Sequence, residues 1–151
     1  MSKQPDPDFD RELRRYTYRK VVETTRAPKV AEAAAELSRS VEDVRAGYAR
    51  LGESHAVMLD SEGGELWRVA PFSAVPTPFP VRIGAKSWFG NCIWDALGIP
   101  AMLGGDAVIP AACACCNQPQ PVEVLSGRVM GEGLIHIAVP ASRWYEDVVF
   151  T

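Results

Sequence analysis

The chain has 151 residues, 47% of them hydrophobic and 23% charged, enough for one substantial domain or two small ones sharing a core. Its formal net charge of −3 counts against nucleic acid as a principal partner, and no apolar run approaches the roughly 20 residues that a membrane-spanning helix needs. The polar first residues carry no signal-peptide hydrophobic segment, so a cytoplasmic protein is expected, with its 4 cysteines kept reduced.

Residues 1–50 hold 11 Lys/Arg and 9 Asp/Glu, a balance of +2, and the remainder holds 5 and 10, a balance of −5. A mildly basic first third fits DNA contact and fits a solvated helical surface equally well. Over residues 9–26, Phe9, Leu13, Tyr16 and Val21 form a rough helical stripe. Pro28 suits the first turn of a second, Ala-rich helix over 29–37. Ser40 with Asp43 three residues on predicts a capping box opening a third helix. Val41, Val44, Tyr48 and Leu51 give that helix one apolar face, and Gly52 reads as its stop. Two strands, 55–60 and 65–72, are expected next, joined by the turn Ser61-Glu62-Gly63-Gly64. Helices followed by a hairpin is the order of a winged-helix module. Its candidate recognition helix sets only Arg45 and Arg50 against Glu42 and Asp43, weak equipment for phosphate contact. Bracing a neighbouring domain is the expected role.

The proline-stiffened stretch from Ser73 to Pro80 is the natural boundary, dividing a winged-helix-like helical domain, residues 1–72, from a second domain, residues 73–151. Beyond it a strand is expected at 81–83 and a helix at 89–97, which Pro100 ends or bends. Further strands are predicted at 107–111, 122–125 and 134–139, with turns at Ser126-Gly127 and 131–133, and a last strand at 147–150. The fold class is α+β: a winged-helix-like helical module followed by a mixed α/β domain of short strands around one central helix.

Chemistry concentrates in two places. Cys92 and Asp95 stand at i and i+3 near the predicted start of that helix, sharing a face. A helix N-terminus favours the thiolate, the form that binds soft metals, and the carboxyl group can exchange a proton with whatever the sulfur holds. The plainer reading is a small buried thiol and a dipole-complementing acid. Cys113, Cys115 and Cys116 crowd together, and Cys113-x-x-Cys116 has metal-knuckle spacing. A closed zinc site usually needs four ligands, and His55 and His136 are isolated packed or surface residues. Trp88, Phe89 and Trp94 flank Cys92, either as walls of an apolar pocket or as ordinary core.

The run from Cys92 to Gly104 resembles the C-x-x-D-x-L-x-x-P-A-x-x-G signature of alkylmercury (organomercurial) lyases. Upstream, Phe72-Ser73-Ala74-Val75-Pro76-Thr77-Pro78 is similar to that family's F-S-x-V-P-T-P segment. Downstream, Cys113-x-x-Cys116 resembles a second cysteine pair, with Asn117 where Gly is usual, and Trp144 to Thr151 resembles the closing W-x-x-D-x-x-x-T block. The resemblance implies protonolysis of a carbon–mercury bond, giving a hydrocarbon and Hg(II). It implies Cys92 as the mercury-binding thiol, Asp95 as proton shuttle and metal contact, and a second cysteine soon after the closing block. No bound cofactor is implied; small cellular thiols act as co-reactants, and a mercuric reductase is the implied acceptor of Hg(II). Because that second cysteine would follow Thr151, the second domain is expected to be C-terminally incomplete. Otherwise Cys113, Cys115 or Cys116 supplies the second thiol. Mercury contacts are therefore expected at Cys92 and Asp95, with Cys113 and Cys116 as further candidates, a pair that either relays mercury or stabilises the fold. The competing readings are a non-catalytic, thiol-based soft-metal-binding or sensing homologue and, more weakly, a DNA-binding regulator.

Overall fold

In the computed structural model, which describes residues 6–62 and 64–146, the first helix α1 spans Pro7–Thr24. The Asp6 carboxylate accepts from the Phe9 N–H at 3.0 Å, and Phe9, Leu13, Tyr16, Thr17 and Val21 form the buried face. Helix α2 is Val30–Glu36, and the Glu65 carboxylate accepts the Val30 N–H at its start. Helix α3 is Val41–Glu53, and the expected Ser40–Asp43 box is present: Ser40 Oγ accepts from the Asp43 N–H at 3.1 Å and donates to its carboxylate at 2.8 Å. Gly52 does not stop the helix. Its α-conformation continues to Glu53, and the left-handed turn falls at His55, φ 58°.

Strands β1, Met58–Leu59, and β2, Leu66–Val69, form the expected hairpin. The strand predicted over 65–72 is broken at Ala70-Pro71, and the chain folds back into β3, Phe72–Ser73, antiparallel to β2. Pro71 has no N–H for the ladder, which is why the break falls there.

A second antiparallel sheet has the order β5-β4-β6-β7-β8. Its strands are β4 (Pro80–Ile83), β5 (Lys86–Phe89), β6 (Ala107–Ile109), β7 (Val122–Leu125) and β8 (Arg128–Met130). Two strands differ from expectation. β5 occupies the start of the helix predicted at 89–97, because Lys86–Phe89 pairs with β4 from Ile83↔Lys86 to Pro80↔Phe89. The strand expected at 134–139 does not form; residues 128–130 pair with β7 instead, across the Ser126-Gly127 turn, where both φ angles are positive. Residues 134–137 then run exposed, Leu134 at 99%, with no ladder partner among the described residues. The strand expected at 147–150 lies outside the described residues.

Helix α4, Ile93–Leu103, touches β3 of the first sheet and β4 of the second. Pro100 was expected to end or bend it, yet the helix continues through Pro100 to Leu103. Pro100 is buried and forfeits one N–H, while its carbonyl still accepts from Gly104 at 2.8 Å. One hydrophobic cluster runs from Leu13 and Tyr48 through Phe72 to Trp88, Ile99 and Ile109. The architecture is mixed α+β, with four α-helices and two antiparallel sheets among the described residues. Among the described residues no helix is long and apolar enough to cross a membrane.

Candidate active site

The site starts from a clamp on Gly90. Its N–H donates to Phe79 O at 2.9 Å, its carbonyl accepts from Thr77 Oγ1 at 2.6 Å, and it forms an antiparallel bridge with Phe72. A Cβ here would lie 2.6 Å from the Ala96 nitrogen, so only glycine lets the strand pass the first turn of α4. The two motif blocks that sequence reading singled out are therefore joined at one backbone position.

Beyond the clamp, Asn91 and Cys92 lead into α4, with Cys92 at the N-cap and Asp95 in the first turn. Both are half-buried. The Asn91 side-chain amide donates to Asp95 Oδ2 at 2.9 Å and faces the carbonyls of Phe72 at 3.3 Å and Pro71 at 3.4 Å. Three oxygens around one NH2 group settle which way the amide points. Asn91 Oδ1 is buried and meets no donor among the described residues.

The electrostatics correct one expectation. Cys92 Sγ makes no capping hydrogen bond, although the N–H groups of Asp95 and Trp94 turn their positive ends toward it. Burial outweighs them, and the neighbouring Asp95 charge adds to burial, so the thiol is pushed above its ordinary value instead of being depressed. Burial likewise raises Asp95, against the lowering effects of the Asn91 hydrogen bond and the Arg68 charge. The resting pair is thus biased toward its protonated forms.

The second thiol group sits on the loop between β6 and β7. Ligand atoms of Cys113, Cys115 and Cys116 all lie within 4.8 Å of one another, and Cys113 Sγ is 3.5 Å from Cys115 Sγ. N–H groups of Cys115 and Cys116 face the Cys113 sulfur and bring its pKa down to about 7. Cys92 and Asp95 do not join this group.

The family model for alkylmercury lyase matches residues 72–150, more than half of the chain. The chain belongs to that family. The match takes in Phe72, the Gly90 clamp, the Cys92–Asp95 pair and all three loop cysteines. A solved structure described as the mercury-bound form of MerB2 superposes with a TM-score of 0.63 at 16% identity, covering 84% of this chain. This chain spans 60% of the length of that one. No curated protein matches the sequence.

Around the Cys92–Asp95 pair the three flanking aromatics part company. Trp88, 4% exposed, is core, packed near Phe72 and donating from Nε1 to Val21 O at 2.8 Å. Phe89 is half-buried in β5, and Trp94 stands 56% exposed on the first turn of α4. Trp88 is therefore not a pocket wall. His55 is exposed and stacks on Tyr145 at 3.8 Å, and His136 is exposed. Sequence reading missed Asn91 and Arg68. Asn91 had a signal, an amide four residues before an acid. Arg68 had none, because only its charge acts on the pair, from β2 of the first sheet.

Proposed function

We propose that this chain is an organomercurial lyase that cleaves carbon–mercury bonds by protonolysis, with Cys92 binding mercury and Asp95 carrying the proton. The observation that carries this reading is a half-buried carboxyl, raised by burial and held by Asn91, in the first turn of the helix that starts just after Cys92, inside the family-matched region. Mercury is soft and prefers sulfur. A substrate arriving as R–Hg–thiolate exchanges ligands at Cys92: the new S–Hg bond forms, and the Cys92 proton leaves on the displaced small thiolate. The sulfur loads electron density onto mercury and polarises the Hg–C bond. Asp95 then gives its proton to the carbon, the Hg–C electron pair becomes the C–H bond, and the hydrocarbon departs. Two small thiols take Hg(II) away as a bis-thiolate, returning one proton each to Cys92 and Asp95.

No resident cofactor is required. A small alkyl- or arylmercury compound is the substrate, cytoplasmic thiols are co-reactants, and a mercuric reductase is the fitting consumer of Hg(II). The helical half, with its winged-helix-like order, acts as a brace. The test is release of mercuric ion from phenylmercury by the 151-residue chain in excess small thiol. Turnover that disappears in Cys92→Ser supports the proposal; turnover unchanged in that variant sinks it. A second reading, a non-catalytic soft-metal-binding or sensing homologue, is favoured by the three loop cysteines. It predicts stoichiometric metal binding with no hydrocarbon released.

A further inference from the structure

The loop between β6 and β7 is built more rigidly than its position suggests. Ala112 and Pro119 form a bridge, Cys113 N–H donates to Gln118 O at 2.9 Å, Asn117 N–H to Cys113 O at 2.8 Å, and Gln120 N–H to Ala111 O at 2.9 Å. Asn117 turns the chain at φ 56°, where Asn is tolerated better than most residues. The tip is therefore a closed knuckle whose backbone needs no ion to hold its shape. It presents three thiols on one side, Cys113 half-buried and Cys115 and Cys116 exposed.

Three sulfurs bound in a plane at ~2.3 Å from one ion stand about 4.0 Å apart. The three here lie within 4.8 Å of one another, with one pair at 3.5 Å, so shifts of under about 1 Å would close them on a shared centre. Among the described residues no histidine or carboxylate joins the group, which leaves zinc short of its usual four ligands. A soft cation satisfied by fewer thiolates fits better.

We propose that Cys113, Cys115 and Cys116 form a second, three-thiolate mercury site, separate from Cys92, that takes mercuric ion from small-thiol complexes. The identity of the ion rests on the proposed lyase reading; the donor set does not. Uptake balances without an oxidant. Three protein thiols bond to mercury, two of their protons leave on the two displaced small thiols, the third goes to solvent, and the bound complex carries one negative charge. With two of its three donors open to solvent, the site can receive mercury by direct ligand exchange. The inferred role is to hold product away from the lyase pair.

The test is to load the full chain, kept reduced, with mercuric ion under excess small thiol and to count sulfur neighbours by X-ray absorption in Cys92→Ser. One retained mercury with three sulfurs is expected. Cys115→Ser should leave two sulfurs and weaken retention roughly tenfold or more, and Cys113→Ser with Cys116→Ser should abolish it. No retained mercury in Cys92→Ser overturns the proposal, as does two-sulfur coordination identical with and without Cys115. Circular dichroism of each variant separates lost ligands from lost fold. Phenylmercury turnover is read in parallel: three-sulfur binding without turnover would keep this site and remove the lyase reading, and the converse would do the reverse.

Discussion

Asn91 is the residue on which the candidate site turns, because its amide ties the Asp95 carboxyl to the backbone of β3 and the residue before it. Asn91→Ala frees that carboxyl and removes a hydrogen bond that favours its ionised form. On the proposed lyase reading, turnover should fall about 10–100-fold, as when an outer partner of a metal ligand is lost, with mercury binding by the Cys92 thiol retained. Steady-state kinetics beside a mercury titration would check this; equal losses in both would show that Asn91 only supports the fold. Asp95 itself carries a stability consequence. Its folded pKa lies above the ordinary value, so its contribution is fully present when the acid is protonated in both states. That contribution is lost as pH rises through the folded pKa. Asp95→Asn should therefore stabilise the chain at neutral pH and give no such gain below pH about 3.9, while abolishing turnover. Urea denaturation at both pH values reads the sign.

At the scale of elements, two contacts make sharp expectations. Gly90→Ala pushes a Cβ into the first turn of α4, where the overlap is with backbone and not with a yielding side chain. A loss of about 1–3 kcal/mol is expected by denaturant titration, as for other overpacked sites. Between α1 and α3, Thr17 spends its hydroxyl proton on Leu13 O at 2.8 Å, so Tyr48 donates to Thr17 Oγ1 at 2.9 Å. Burial pushes Tyr48 up to about 12 from 10.0, so its contribution is intact below about pH 10 and fades as pH climbs through the folded value. Tyr48→Phe should cost about 0.5–1.5 kcal/mol at neutral pH and flatten the alkaline decline, which thermal melts between pH 9 and 12 would show. These contacts also explain what sequence could reveal. The helices were legible because Phe9, Leu13, Tyr16 and Val21 repeat at helical spacing and Ser40–Asp43 is a local cap. Strand β7 was legible from its alternating pattern and the Ser126-Gly127 turn. Strand β5 was not, because Lys86–Phe89 owes its conformation to β4, a partner that local pattern cannot supply. Cys92 and Asp95 were found as a pair within one turn, whereas the raised Cys92 thiol was misjudged, since the burial that decides it comes from packing of other elements.

Across the whole molecule, the proline-rich boundary read from sequence meets a set of contacts that cross it. Trp88 Nε1 and Lys86 Nζ in β5 donate to the carbonyls of Val21 and Val22 at the end of α1, at 2.8 and 3.0 Å. Phe72 is shared between the first sheet and Gly90, and the buried cluster is continuous from Leu13 to Ile109. A helical half that served only as a tethered neighbour would leave Trp88 and Phe72 partly wet. Here their burial depends on both halves at once, and burying a large side chain contributes about 1.5–3 kcal/mol. Unfolding is therefore expected to be a single cooperative transition in urea, with tryptophan fluorescence and far-ultraviolet circular dichroism giving one midpoint. Trp67 in β2 and Trp88 in β5 place a reporter in each sheet, and phenylalanine at the other three of the chain's 4 tryptophans isolates either one. Trp88→Phe should cost only about 0.5–1.5 kcal/mol, because Val21 O keeps its second donor, the Thr25 N–H at 2.9 Å. Two midpoints, one for each sheet's reporter, would mean that residues 1–72 and 73–151 are independent folding units and that the helical half does not brace the Cys92–Asp95 pair.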